Sequence, residues 1–298
     1  MPISVPAGSC LGSSGPEIGA VKLRSALKHW AYEAIPGLRG SFPYYGTRVY
    51  FPERSLIFQL ACEQGVYEHE NLKLLLSLVR PDGWYFDVGA NIGLLSVPVL
   101  ASAAGCRVLS VEPSPATFRC LARTRELSSF RDRWRVLDAV AGNTVGETDL
   151  YVFPGGLGAF DGTRDTARGG DARTIRVPMT TLDTVWEGLG RPPVSVIKID
   201  VEGGELGVLE GAACCIRERR PPILLEITAV NVHAHGLEPE IFLDYAAHNG
   251  YSLFAAPGLI PVTTPGGLGA QLLRTENFLL YPEPLSNTVG QAFPGTAS

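Results

Sequence analysis

FDVGANIG, Phe86–Gly93, closes a short apolar run that starts at Trp84 and passes through two glycines into a segment with helical patterning. A strand, a Gly-containing turn and a helix in that order form the opening unit of an α/β sheet. Glycine has no Cβ, so Gly89 and Gly93 allow a tight turn and a close approach of ligand to backbone. The spacing argues against a dinucleotide, whose fingerprint is G-x-G-x-x-G. Here position 91 is Asn, and Asp87 stands two residues before the first glycine. A pyrophosphate does not favour a nearby carboxylate, whereas a cationic amino group does. Taken alone, the stretch also reads as an ordinary strand-to-helix turn with a capping Asn.

Downstream the same rhythm repeats. CRVLSVEP is a second strand, followed by the helical ATFRCLARTREL. RWRVLDAVAG is a third strand, VSVIKID a fourth with the helix GELGVLEGAACCIRER behind it, and PPILLEIT a fifth. YSLFA and NFLLYP supply a sixth and seventh. Strands alternating with helices predict a doubly wound, mostly parallel sheet, which binds ligands beyond the carboxyl ends of its strands. Residues 142–180 break the alternation. ETDLYVF and RTIRVPM read as a hairpin, and the Gly-rich 154–173 between them reads either as a lid or as a stretch without fixed structure. The division that follows is a disordered N-terminus (1–20), an extension (21–82), the α/β domain with its hairpin insertion (83–282) and a flexible tail (283–298).

Composition narrows the class. The chain has 298 residues, 45% of them hydrophobic, enough for a substantial core. A net charge of -5 gives no basic excess, so a nucleic-acid partner is not indicated. Cysteines at 10, 62, 106, 120, 214 and 215 show no zinc spacing and read as buried thiols of a reducing compartment. The N-terminus lacks a basic region and a long apolar core, and Leu94–Val111 is broken by Pro98, Gly105 and Arg107. Neither a signal peptide nor a membrane span is read, and a cytoplasmic protein is expected. A homo-oligomer is compatible with the sequence.

Acids recur at the strand ends. Glu112 ends the second strand, 25 residues after Asp87, where a carboxylate can accept both hydroxyls of a ribose. Asp138 ends the third, where it can accept from an adenine amino group or cap the next turn. Such acids suit an adenosine with a positively charged tail and no phosphates, which is S-adenosylmethionine. GVYEHE (65–70), FDVGANIG, VEPSP, TTLD (180–183), IKIDVEGGE and ILLEI follow one another in this order. Over about residues 60–255 the chain resembles the FkbM family of S-adenosylmethionine-dependent methyltransferases. The resemblance implies the class I methyltransferase fold, seven strands with the last antiparallel. It also implies that Asp87, Gly89, Asn91 and Gly93 line the methionine part of the cofactor, that Glu112 with Pro113 holds the ribose, and that Asp138 with Ala139 holds the adenine. Tyr67 and Glu68 match the family's YE and would close over the cofactor. Asp138-Ala139 stands where relatives often carry Asn-Ala.

SVIKIDVEGGE (Ser195–Glu205) places Lys198, Asp200 and Glu202 at alternate positions, on one face if the strand continues. Lys198 and Asp200 can neutralise one another, and Asp200 can orient the acceptor or take its proton. A purely structural pair reads the same way. Glu202 is expected to open the next helix, where the dipole favours a carboxylate. Glu226 ends the fifth strand, and Asn231, His233 and His235 are expected in a loop above the same edge. A histidine there is a natural general base, although an exposed loop histidine is the commoner case. The site is read as metal-free because no compact acidic cluster is evident; Asp200, Glu226 and Asn231 are the donors a magnesium ion would use. The expected activity is O-methylation of a small-molecule hydroxyl, on a sugar or natural-product intermediate. N-methylation and cofactor binding without catalysis are the alternatives.

Overall fold

The computed structural model describes residues 16–154, 158–164 and 172–283, with side chains from residue 25 onward. The expectations for the first fifteen residues and for the tail after Glu283 lie outside the described residues. Helix α1 (Pro16–Ala34) starts inside the stretch expected to be disordered. A small hairpin follows, β1 (Ser41–Tyr44) with β2 (Thr47–Tyr50), then α2 (Leu56–Gln64) and α3 (His69–Leu78). Aromatic side chains bind this extension together: Phe51 and Phe58 stack with ring centroids 3.8 Å apart, and Phe42 packs against both.

The α/β part runs β3 (Trp84–Val88), α4 (Ser96–Ser102), β4 (Arg107–Val111), α5 (Pro115–Leu127) and β5 (Trp134–Leu137). Next come β6 (Val140–Ala141), β7 (Gly146–Val152), β8 (Arg173–Thr180), α6 (Leu182–Gly188), β9 (Val194–Ile199), α7 (Glu205–Glu210) and α8 (Ala213–Arg219). The chain finishes with β10 (Ile223–Glu226), α9 (Ala229–Ala234), α10 (Ile241–Asn249), β11 (Tyr251–Ala255), β12 (Ile260–Val262), α11 (Pro265–Leu272) and β13 (Asn277–Pro282).

The main sheet has the order β12-β11-β13-β10-β9-β3-β4-β5. Strands β5, β4, β3, β9 and β10 are parallel neighbours. β13 inserts antiparallel between β10 and β11. Taken in the order in which the seven expected strands occur in the chain, this is 3-2-1-4-5-7-6. The strand order reverses between β3 and β9, which places the ligand crevice at their carboxyl ends. This is the class I methyltransferase fold, with one strand beyond the expected seven: β12 folds back on β11 and forms the edge.

The parallel strands are buried on both faces and so read as near-continuous apolar runs. Trp84, Phe86, Val88, Ile197 and Ile199 pack on the side of α6, α7, α8 and α10. Tyr85 and Val196 pack on the side of α2, α3 and α4. The expected third strand divides. β5 ends at Leu137, and β6 leaves the main sheet to pair with β8, which with β7 makes a separate three-stranded sheet. Val140, Leu150 and Val177 form its own small core.

Candidate active site

A cavity of about 460 Å³ lies at the carboxyl ends of β3, β4, β9 and β10. The α2–α3 corner (Leu56, Leu60, Tyr67, Glu68) walls one side, and residues 158–163 between β7 and β8 wall another. Its floor is the turn after β3. Gly89 sits there at φ +80°, and a Cβ would overlap the carbonyl of Asp200. The turn and the end of β9 are therefore in backbone contact, which only glycine permits.

Asp87 and Glu112, both buried, are held differently. Asp87 accepts from the Tyr85 hydroxyl (2.9 Å) and the Ser96 hydroxyl (2.5 Å). Ser96 in turn lies 2.7 Å from Ser110, which accepts from Trp134 Nε1 at 2.8 Å. A relay of hydrogen bonds thus runs from a buried indole to Asp87, each hydroxyl accepting from one side and donating to the other. Glu112 accepts from the backbone N–H groups of Asn91 (2.9 Å) and Ser114 (2.8 Å), one on each carboxylate oxygen. Burial, the largest influence, outweighs those bonds and pushes its carboxyl up to about 8.

At the end of β9, Lys198 Nζ donates to Asp200 at 2.6 Å. Lys198 is 3% exposed and Asp200 19%. Burial alone would lower the lysine, but the carboxylates of Asp200, Glu68, Asp87 and Glu226 outweigh it and hold the ammonium above its ordinary range. Glu226 reaches the same place from the neighbouring strand. Ile199 pairs in register with Leu225, so the residues that follow them, Asp200 and Glu226, are lateral neighbours. Burial first and Asp200 second push the Glu226 carboxyl well above the usual carboxylate range. Asp200, Glu202 and Glu226 bring ligand atoms within 4.8 Å of one another, a compact acidic cluster that sequence spacing did not reveal. Its oxygens already have donors: Lys198 on Asp200, and Asn231 Nδ2 on Glu202 at 2.7 Å.

Compared with known families, residues 87–253 match the model of the methyltransferase FkbM domain, which is more than half of the chain. The chain belongs to the FkbM methyltransferase family. Among curated relatives, a hexuronic acid methyltransferase, AglP of Haloferax volcanii, is 28% identical over 173 residues, covering 58% of this chain and 65% of the relative. Methyltransferase sdnD of Sordaria araneosa is 25% identical over 183 residues, covering 52% of this chain and 68% of the relative. The chain thus spans about two thirds of each relative's length. Among solved structures, an FkbM methyltransferase from Methylobacillus flagellatus aligns at TM-score 0.46 and 18% identity, covering 76% of this chain and 52% of that one. An O-methyltransferase from Bacillus cereus aligns at TM-score 0.41 and 12% identity, covering 87% and 98%. Strand order, rather than these overlaps, assigns the fold.

Several residues of this FkbM methyltransferase that the sequence singled out come together. Tyr67, Glu68, Asp87, Gly89, Asn91, Glu112, Pro113, Ala139, Lys198, Asp200 and Glu226 all line the cavity. Others do not. Gly93 faces away: a Cβ there would lie 2.9 Å from Leu121 and 3.1 Å from Trp134, so this glycine serves close packing of the turn on the core. Asp138 is exposed and is not among the lining residues, although Ala139 beside it is. His233 is exposed, pairs with Glu238 at 3.0 Å and does not line the cavity. The expected loop there is helix α9, capped by Thr228, and its periodicity buries Asn231 and Val232 while turning His233 outward. His235 is half-buried outside the cavity.

The alternation along SVIKIDVEGGE stops at Ile199, where β9 ends. Glu202 therefore lies in the turn, at φ +57°, and does not open a helix. Glu205 opens α7 instead, and its carboxylate accepts from the N–H groups of Val201 and Gly203, both at 3.1 Å. Asp161, Ser96 and Ser110 escaped the sequence reading. The serines carry no motif, and Asp161 sits in a Gly-rich stretch without periodicity. Among the described residues, no helix is long and apolar enough to cross a membrane.

Proposed function

We propose that this chain is an O-methyltransferase acting on a hydroxyl of a small molecule, a sugar or natural-product intermediate. The observation that carries the reading is the Lys198–Asp200–Glu226 group. It faces the cavity where β9 ends, in backbone contact with the Gly89 turn. The hexuronic acid named for one relative supports a sugar.

The donor set fits the cofactor. Eight carboxylates and one lysine line the cavity, an environment for a positively charged nucleoside without phosphates. Gly89 and Asn91 would lie along its methionine part with Asp87 behind them, and Tyr67 and Glu68 would close over it. Glu112 and Pro113 would hold the ribose and Ala139 the base. Bound S-adenosylmethionine supplies a methyl group on a sulfonium, which leaves as a neutral thioether, so no departing anion needs a partner. The work of the protein is alignment and proton removal. Asp200 would accept the proton of the acceptor hydroxyl, to which the bound cofactor would supply the methyl group. Lys198 is a positioning residue, an ammonium whose hydrogen bond fixes the Asp200 carboxylate. Glu226 lies beside Asp200, and burial together with the Asp200 carboxylate raises its carboxyl, which eases the repulsion between the two.

The reading is metal-free, since an ammonium already occupies the Asp200 side of the acidic cluster. Dialysis against EDTA is expected to leave turnover unchanged, and loss of activity restored by magnesium would overturn this part of the reading. N-methylation is favoured by one observation, the carboxylate excess, which suits an amine-bearing acceptor. Incubation of small-molecule extracts with isotopically labelled cofactor separates the two. Label on a hydroxyl oxygen is expected, and label confined to nitrogen would replace the first reading with the second.

A further inference from the structure

The hairpin insertion brings one more carboxylate into the cavity. Asp161 lines it together with Glu112, Pro113, Ala139, Val140 and Leu150. Its place is fixed from both sides. Oδ1 accepts from the N–H of Phe153 at 2.8 Å, and the next residue, Gly162, exchanges two backbone hydrogen bonds with Tyr151 of β7. Oδ2 is buried and has no hydrogen-bond partner among the described residues. A buried acceptor without a donor costs free energy that a ligand donor would recover. The neighbours indicate which part of a ligand arrives there. Pro113, Ala139, Val140 and Leu150 supply apolar lining to the same cavity as Glu112, the residue proposed for the ribose. A flat base suits such an apolar lining, and Asp161 lines the same cavity, near enough to Glu112 to influence its carboxyl. Asp138, which the sequence offered for the base, is exposed outside it.

Resting on the cofactor assignment above, we infer that Asp161 is a cofactor-binding residue whose free oxygen accepts a hydrogen bond from the exocyclic amino group of the adenine. The insertion is then part of the nucleoside site, and nucleoside recognition is divided between the sheet, through Glu112, and the hairpin, through Asp161. Burial, the largest influence, pushes the Asp161 carboxyl up, and the Phe153 amide and the neighbouring Ser114 hydroxyl only partly offset it.

The test pairs the ligand's amino group with the residue. Titration calorimetry is run with S-adenosylhomocysteine and with S-inosylhomocysteine, which carries a carbonyl where adenine carries its amino group. The wild type is expected to prefer the adenine ligand tenfold or more. Asp161→Asn keeps an acceptor for Phe153 but presents an amide N–H₂, so the preference should collapse or invert. Glu112→Gln should weaken both ligands and leave their ratio intact, and Asp138→Asn should leave the ratio intact. An unchanged ratio in Asp161→Asn overturns the inference. So does a wild-type preference below threefold, which needs no variant to fold. If the wild type binds neither ligand, the cofactor assignment itself fails, and that outcome is distinct from the other two.

Discussion

Two strand ends in this molecule carry the same pair of residues and use them differently. β3 ends Asp87-Val88 before Gly89, and β9 is followed by Asp200-Val201 before the glycines of its own turn. Asp87 is sunk beneath the turn and receives its hydrogens from neutral hydroxyls, those of Tyr85 and Ser96. Asp200 stands at the cavity wall and receives its hydrogen from an ammonium. A carboxylate bound by hydroxyls within its own strand and helix is part of the frame. One bound by an ammonium and lining the crevice of a parallel sheet is placed for chemistry. The kind of donor, more than the identity of the acid, separates the two.

Breaking the charged donor should have the largest effect. Lys198→Met leaves Asp200 and Glu226 facing each other without a cation. Removing one partner of a buried pair costs about 3–5 kcal/mol, so urea denaturation should show a loss of that order, and an unchanged midpoint would mean that the pair contributes nothing to the frame. Asp200→Asn comes next. It keeps the shape and removes the charge, and kcat should fall about 100-fold or more, the range of a lost general base, while affinity for S-adenosylhomocysteine stays within about threefold. A variant that loses only stability would make the two strand ends alike.

Glu112 sharpens the comparison through pH. Its carboxyl is raised in the folded protein to about 8, from an ordinary value near 4.5. The folded state therefore holds a proton between those values that the unfolded chain releases. This contribution to stability is complete below about 4.5 and fades as the pH rises toward 8. With Glu112 at the ribose, as proposed, the ribose hydroxyls would donate to the ionised form, so cofactor binding would expel the proton. Affinity should rise with pH, by up to roughly tenfold per unit below 8, and Glu112→Gln should flatten that profile in calorimetry. The smallest effect belongs to the relay behind Asp87. Ser110→Ala leaves the Trp134 indole N–H without an acceptor and should cost about 1–2 kcal/mol by thermal or urea unfolding, with kcat unchanged. A fall in kcat would show that the frame at β3 also tunes the chemistry.

Much of this architecture was legible in the sequence because buried parallel strands leave a plain record. WYFDV, RVLSV, VSVIKI and ILLE are apolar runs of strand length with turn residues after them, and the register between them follows from covering both faces. The charged end of the site was legible in its parts but not in its assembly. Asp200 and Glu226 are 26 residues apart and meet only because β9 and β10 pair in parallel. Gly93 was misplaced because a glycine that yields room to Leu121 and Trp134 has the same letter as one that yields room to a ligand. His233 was misplaced because a six-residue helix, α9, carries too few apolar positions to announce its period, yet one turn of it decides which side chain points inward. Asp161 was invisible for the opposite reason: its position depends on a backbone bridge to Tyr151 that no side chain encodes.

The contact between the α-carbon of Gly89 and the carbonyl of Asp200 has a consequence for how nucleosides come and go. Two adjacent strands whose ends touch through backbone cannot part without breaking the sheet, so neither the floor of the crevice nor its charged corner can serve as a door. Entry and exit must be the work of the flanks, the aromatic corner on one side and the hairpin on the other. Those flanks can be reshaped for new acceptors while the machinery between them stays as it is.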